Sequence, residues 1–163
     1  MPKPHCTALQ AFRIPLSQDQ YAKVDAADFW WLIRWKWYAQ WIPDTRSFRA
    51  VRMVKKTMIY MARVIMGNPP GRFVDHRDHD TLDNRRQNLR PATRAQNQAN
   101  HRLNIRNKSG FKGVSRAQGG KWQASIRVNG KSIALGAAYR TPAEAAVAYR
   151  DAAVRYFGEF ANW

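Results

Sequence analysis

The chain has 163 residues, with 28 Lys and Arg against 11 Asp and Glu, and a formal net charge of +17. That length holds one ordinary domain or two very small ones, and that charge points first to a polyanionic partner. The charge is spread along the chain and not gathered on one amphipathic helix, which favours nucleic acid over a membrane surface, and no run is long and apolar enough to span a bilayer. The one cysteine, Cys6, rules out a disulfide framework and a thiolate zinc site and fits a reducing cytoplasm, and the opening MPKPHCTALQ lacks the apolar core of a signal peptide.

Residues 12–17 and 21–24 read as short strands around a polar turn at 17–20. Asp25 or Asp28 can cap a short helix running to about residue 35. An aromatic cluster follows: Phe29, Trp30, Trp31, Trp35, Trp37, Tyr38 and Trp41. Interleaved with Arg34 and Lys36, these rings can stack on bases; the preferred reading is that most of them build the core of a domain short of Leu and Val. Residues 36–41 and 48–54 alternate around the turn Pro43-Asp44-Thr45 and make a hairpin, with Arg46, Arg49, Arg52, Lys55 and Lys56 as a basic face. Residues 57–66 are apolar and stop at Gly67-Asn68-Pro69-Pro70-Gly71.

The stretch VDHRDHDTLDNRRQNLRPATRAQNQANH, residues 74–101, carries the chemistry. Asp75-His76 ends a short apolar run, a polar loop spans 77–87, and 89–92 reads as a second strand. Thr93 has the position of a helix N-cap, and residues 94–103 contain good helix formers with no Pro or Gly. Strand, loop, strand and helix make a small ββα unit, in which Asp75 and His76 can face Asn97. Asn97 and His101 are one helical turn apart, with Asn100 close by. An aspartate and an Asn oxygen are hard ligands suited to Mg²⁺ or Mn²⁺. A neutral His beside them can take a proton from water. Arg77, Arg85, Arg86, Arg90 and Arg94 suit phosphates. The set describes one-metal hydrolysis of a phosphodiester. A lone Asp-His pair is better read as turn and cap chemistry; here several spaced elements agree.

Residues 101–108 are polar and read as a linker. A second module follows. Residues 111–115 are strand-like, Gly119-Gly120 is a turn, and 121–128 alternates strictly: Trp122, Ala124, Ile126 and Val128 on one face, Lys121, Gln123, Ser125 and Arg127 on the other. Asn129-Gly130 is a hairpin signal and 131–136 the returning strand. Thr141-Pro142-Ala143-Glu144 is a capping box with Pro at the first helical position. The helix runs to about Phe157 and stops at Gly158, with a small face of Ala145, Ala148, Tyr149, Ala152 and Tyr156.

Residues 74–101 resemble the core of the HNH homing endonucleases of phages and group I introns, roughly V-D-H…N-N…N-L-R…T…N. The resemblance implies Asp75 as metal ligand, His76 as general base, Asn88 as loop brace with Asn84 as second anchor, and Asn97 as the remaining metal ligand, with His101 the alternative. His79 departs from the Gly- or Asn-rich loop usual there. In the segment before the core, Ala62 stands where such proteins often carry a His. If that His helps to hold the phosphate or metal, the chain is weakened or inactive, which leaves a second reading: a DNA-binding regulator with a degenerate nuclease core.

The C-terminal module resembles the ethylene-response-factor (AP-two) DNA-binding domain over its whole length, through Gly113-Val114, Lys121-Trp122-Gln123-Ala124, Leu135-Gly136, the box at 141–146, Ala148-Tyr149 and Asp151-Ala152-Ala153. That family sets its sheet in the DNA major groove. By match Lys112, Arg127 and Arg116 occupy contact positions, and Lys121 and Lys131 join them as nucleic-acid-binding candidates. The plant domains carry Arg where Ser115 stands and Trp where Gly119 and Ala134 stand, so the plant target is not expected.

The expected fold is α+β: a strand and helix region leading into a ββα-metal nuclease core at 73–104, within a domain of residues 1–106, then a three-stranded antiparallel sheet on one helix at 107–163. The expected function is a site-specific endonuclease on double-stranded DNA using Mg²⁺ or Mn²⁺, in the cytoplasm of a bacterial or phage-infected cell, with no membrane partner. Target sequence, nicking against double-strand cutting, and oligomeric state stay open.

Overall fold

The computed structural model describes residues 11–103 and 107–163; Cys6, and residues 104–106 of the expected linker, lie outside them. The described residues form a mixed α/β protein of four small sheets and four α-helices, separating into two compact units at 1–91 and 92–163.

In the first unit β1 (Phe12–Pro15) and β2 (Tyr21–Val24) pair antiparallel, with Ile14 opposite Ala22. Helix α1 (Ala26–Leu32) starts after Asp25. It stops short of Trp35 because the Leu32 carbonyl turns to accept from the Trp35 backbone at 3.2 Å and the Trp37 indole at 2.9 Å. Strands β3 (Tyr38–Ile42), β4 (Ser47–Val54) and β5 (Thr57–Tyr60) form an antiparallel meander. Strand β5 was hidden within the apolar run at 57–66. Its turn is Lys55-Lys56, both with positive φ (45° and 65°), a backbone that the usual Asn-Gly signal would have announced. Helix α2 (Met61–Ile65) completes that run. Strands β6 (Phe73–His76) and β7 (Leu89–Ala92) then pair as a two-stranded sheet.

The core of this unit is mostly aliphatic: Ile14, Val24, Leu32, Met61, Ile65 and Leu89 surround the buried Trp37. The aromatic cluster is therefore core only in part. Phe29 and Trp31 pack against the core, but Trp30 is 70%, Trp35 40%, Tyr38 40% and Trp41 46% exposed. The expected basic face also divides. Arg49 lies opposite Gln40 and Arg52 opposite Ile59, so the pleat sends the two to opposite sides of the sheet.

In the second unit helix α3 (Arg94–Asn100) has Thr93 as N-cap in a full capping box, with Thr93 Oγ1 accepting from Gln96 N and Gln96 Oε1 from Thr93 N. The helix ends at Asn100. His101 follows with extended backbone, so Asn97 and His101 do not share a helical face as the longer helix would have had them. Strands β8 (Val114–Arg116), β9 (Trp122–Val128) and β10 (Lys131–Tyr139) form an antiparallel sheet in the order β10-β9-β8. Helix α4 (Pro142–Phe157) is capped by Thr141, which accepts from Glu144 N, and ends at Gly158. Along β9 the inward residues Ala124 and Ile126 are buried and Gln123, Ser125 and Arg127 exposed, as the alternation requires. On α4 the buried residues are Ala145, Ala152, Ala153 and Phe157, whereas Tyr156 points out at 43% exposure.

Gly113 shows how tightly this unit closes. Its φ is +64°, and a Cβ there would run into the Tyr149 ring and the Ser125 carbonyl. The next residue inward, Lys112, donates from Nζ to Ala99 O at 3.0 Å and Asn162 O at 2.9 Å. Burial lowers its amine from 10.5 to about 8. Between those values the unfolded chain holds a proton that the folded chain has released, so folding stability rises with pH from about 8. Burial raises the Tyr149 phenol above 10.0, and there the sign reverses: the folded chain keeps a proton that the unfolded chain loses. Urea unfolding at pH 7.5 and 9.5 should therefore show a gain at the higher pH, and Lys112→Met should remove that part of the gain. Equal gains in both proteins would show that this amine is not its source.

Candidate functional site

The loop between β6 and β7 is held from all sides. Its aspartates shape it locally: Asp80 N donates to Asp78 Oδ1, Leu82 N to Asp80 Oδ1 and Arg85 N to Asp83 Oδ1. Asn88 spans it, donating from Nδ2 to Asp83 O at 2.8 Å and accepting at Oδ1 from Asp78 N at 3.1 Å. Strand β2 anchors it from outside: Lys23 N donates to Leu82 O and Asn84 N to Lys23 O, both at 2.8 Å, while Lys23 Nζ pairs with Asp80. Thr81 Oγ1 donates to Phe48 O on β4. Arg86 ties the loop to α1 through Asp28 at 2.7 and 2.8 Å and, by its backbone, through Asp25 Oδ2 at 2.7 Å.

Within this frame Asp75 and His76 stand together at the end of β6. Asp75 is 5% exposed, and its Oδ2 accepts from Arg90 Nε at 2.8 Å. His76 Nε2 lies 3.4 Å from Asn84 Oδ1, itself buried. An amide oxygen only accepts, so Nε2 carries the hydrogen and Nδ1 bears the lone pair. Burial is the largest influence on the His76 ring and lowers its pKa; the nearby Arg49 acts in the same direction, while Asn84 and Asp75 oppose it. The imidazole is therefore neutral at physiological pH and able to accept a proton.

The basic residues of this stretch divide by partner. Arg85 pairs with the buried Asp83, Arg86 with the buried Asp28, and Arg90, itself 4% exposed, with Asp75. These three brace the fold, so phosphate contact is not their first occupation. Arg77 and, on α3, Arg94 are exposed. Spacing could not reveal this division, because the carboxylate partners of Arg86 lie far back on the first helix. Arg49 bears electrostatically on His76, and sequence reasoning placed it on a basic face with no signal that linked it to that ring. Ala62 is 8% exposed and contributes to the core with Ile65 and Leu89.

In the second unit Asn97 is half-buried on α3, its N–H bonded to Thr93 O. Lys112 is turned to two backbone carbonyls rather than outward. Arg116 stacks on Trp122 at 4.1 Å and donates to Gly120 O at 3.0 Å, while Lys121, Arg127 and Lys131 are exposed. Among the described residues no three His, Cys, Asp or Glu side chains cluster as a metal cage. An aspartate with asparagine carbonyls suits a hard divalent ion that keeps part of its water shell, so the donor types fit Mg²⁺ or Mn²⁺.

The Asp75–Arg90 pair invites a direct test. Both side chains are almost wholly out of water, at 6% and 5% exposure. Replacing Arg90 by Ala removes the counter-charge it gives to a buried carboxylate, which should destabilise the first unit by about 3–5 kcal/mol. Chemical unfolding followed by tryptophan fluorescence reads this. A change within about 0.5 kcal/mol, the usual range for a surface substitution, would show that the pair is not a structural element.

Residues 66–99 match the family model described as HNH endonuclease. A protein of Acanthamoeba polyphaga mimivirus, described as an uncharacterized HNH endonuclease, is 32% identical over 135 residues, covering 82% of this chain and 70% of the viral protein. No solved structure matches. The family match begins before β6, ends within α3 and contains the Asp75-His76 pair, and the viral likeness reaches far beyond it on a relative of similar extent. The chain belongs to the HNH endonuclease family.

Proposed function

We propose that this chain is a site-specific DNA endonuclease of the homing type, in which the Asp75-His76 pair serves the cut and the sheet of the second unit reads the target. The observation that carries the reading is the neutral His76 beside the buried Asp75, held at the end of β6 by a loop whose polar side chains are themselves bonded. His76 accepts a proton at Nδ1 from a water molecule. The water oxygen forms a bond to the scissile phosphorus, the bond from phosphorus to the 3′-oxygen breaks, the leaving oxygen takes a proton from solvent water, and His76 returns its proton to solvent, so that the products are a 5′-phosphate and a 3′-hydroxyl. Asn84 keeps the ring in the tautomer that can do this, and Asn88 keeps the loop beneath it. A divalent ion, Mg²⁺ or Mn²⁺, held by Asp75 would stabilise charge on the phosphate and the leaving oxygen. The resemblance gives Asn97 the second ligand position, and that part of the reading rests on the resemblance alone.

Double-stranded DNA is the substrate that the family and the charge support. No helix among the described residues is long and apolar enough to cross a membrane. For target reading, Arg127 is exposed on β9 at a position that the AP-two resemblance assigns to DNA contact, with Lys121 exposed beside it, whereas Lys112, also assigned by the resemblance, is turned to Ala99 O and Asn162 O.

His76→Ala should keep DNA binding and lose cleavage by roughly 10²–10⁴-fold, the usual contribution of a general base. Plasmid cleavage with Mg²⁺ or Mn²⁺, against an EDTA control, measures the loss. Unchanged rates at saturating metal would remove His76 from the role, and a wild-type protein that binds DNA but never cuts would favour a regulator with an inactive core. Arg127→Ala should relax selection at one or two base pairs, by about 1–3 kcal/mol for one bidentate contact. Selection on randomised duplexes reads this, and an unaltered site profile would move target reading away from this strand.

A further inference from the structure

A groove of about 510 Å³ lies along the first unit where β1 meets the start of β3. Trp37 and Ile14 are buried in its wall, and Ile33, Trp35 and Tyr38 face it while remaining 43%, 40% and 40% exposed. Such exposure of large rings is costly in water and is not forced by a full core, since the core of this unit closes with aliphatic residues. The rings are also held in place. Arg52 lies 4.0 Å over Trp35 and 5.4 Å over Trp37, Trp31 meets Trp35 edge-on at 5.8 Å, and the Trp37 indole is bonded to Leu32 O. Fixed aromatic faces lose little entropy when something stacks on them.

The charges on the wall identify the guest. Among the described residues Lys36 is its one charged lining residue, sitting over Tyr38 at 5.8 Å, and no carboxylate lines the groove. Arg34, between Ile33 and Trp35, is a further exposed cation of the same segment. An apolar peptide or a second copy of this +17 chain would leave these cations unanswered or repelled. A strand of nucleic acid answers both features, with phosphates for the cations and base faces for the rings. Bases within a duplex are stacked on each other, so the guest must be unpaired.

We propose that this groove binds an unpaired base of a DNA strand, stacked on Trp35 and Tyr38, and so gives the chain a single-strand site apart from its cleavage site. The inference rests on the reading of the chain as a DNA nuclease and adds the form of DNA it holds. It implies that the protein grips a strand already freed from its partner, or frees one locally.

The test uses the full chain and two fluorescein-labelled probes, a 12-nucleotide oligothymidylate and a blunt 20-base-pair duplex, with anisotropy read over a series of salt concentrations. Trp35→Ala and Tyr38→Ala should each weaken oligothymidylate binding by roughly 5- to 150-fold, the range for one stacked base. The salt slope should stay the same, because no cation is lost. Duplex binding should be unchanged, Trp35→Phe should retain most of the single-strand affinity, and Trp30→Ala, exposed but outside the groove, should have no effect. Circular dichroism identifies any variant that fails to fold, and Trp35→Phe then carries the comparison: oligothymidylate should quench tryptophan fluorescence less in Trp35→Phe than in Trp30→Ala, and equal quenching in the two overturns the proposal. Equal losses on both probes, or losses no larger than in Trp30→Ala, overturn the proposal. So does a wild-type self-association that Trp35→Ala abolishes. Duplex binding without oligothymidylate binding removes the groove and leaves the nuclease reading intact; binding to neither probe removes both.

Discussion

The region around His76 depends on two backbone hydrogen bonds to one residue of β2. Lys23 gives its N–H to Leu82 and takes one from Asn84, so the loop between β6 and β7 runs beside β2 as a short piece of sheet. Asn84 reaches the His76 ring only because its own backbone is fixed there. The side chains follow the same logic. Asp28, Asp83 and Asn84 are almost fully buried, and each has its polar atoms bonded. Buried polar groups of this kind are destabilising when left without partners and stiffening when satisfied, so the loop has one arrangement in place of many. A histidine that must meet a phosphate with little error needs such a support.

This design uses the few acids that the chain has. Of 11 Asp and Glu, Asp28, Asp75 and Asp83 are buried against an Arg of the same unit, and Asp80 pairs with Lys23 nearer the surface. Arg85, Arg86 and Arg90 thereby become part of the scaffold. The cations left exposed, among them Arg94, Lys121, Arg127 and Lys131, contribute a positive surface. The two roles of arginine, as a planar fork for carboxylates inside and as a phosphate ligand outside, occur within a few residues of each other.

Local chemistry was the most legible part. Thr93 and Thr141 as N-caps and Asn129-Gly130 as a turn each declare a structure that depends only on neighbours, and each formed where expected; of the box expected at 141–144 the Thr141 half formed, while the Glu144 carboxylate accepts from Arg140 N instead. Asp75-His76 was legible for the same reason, as two adjacent residues of distinctive chemistry. What depended on distant partners was not. The Arg86–Asp28 pair and the seat of Lys112 on Ala99 and Asn162 involve residues with no sequence relation. The Lys55-Lys56 turn was missed because neither residue favours the left-handed backbone it adopts. The aromatic residues misled for another reason: composition counts how many rings a chain has, whereas burial depends on whether the aliphatic residues have already filled the interior.

The second unit separates positions that hold it together from positions that face outward. Gly113 has no room for any other side chain, Ala124 and Ala145 close in one cluster, and Ile126 and Ala153 in another. Ser115, Gln123, Ser125 and Arg127 stand on the outer side and their side chains contribute nothing to that closure. Their alternation along the strands means that each can change without its neighbours moving. The fold is thus evolvable at its surface: a lineage that must meet a new partner can alter the outer face residue by residue while its thermodynamic stability stays where the inner face sets it.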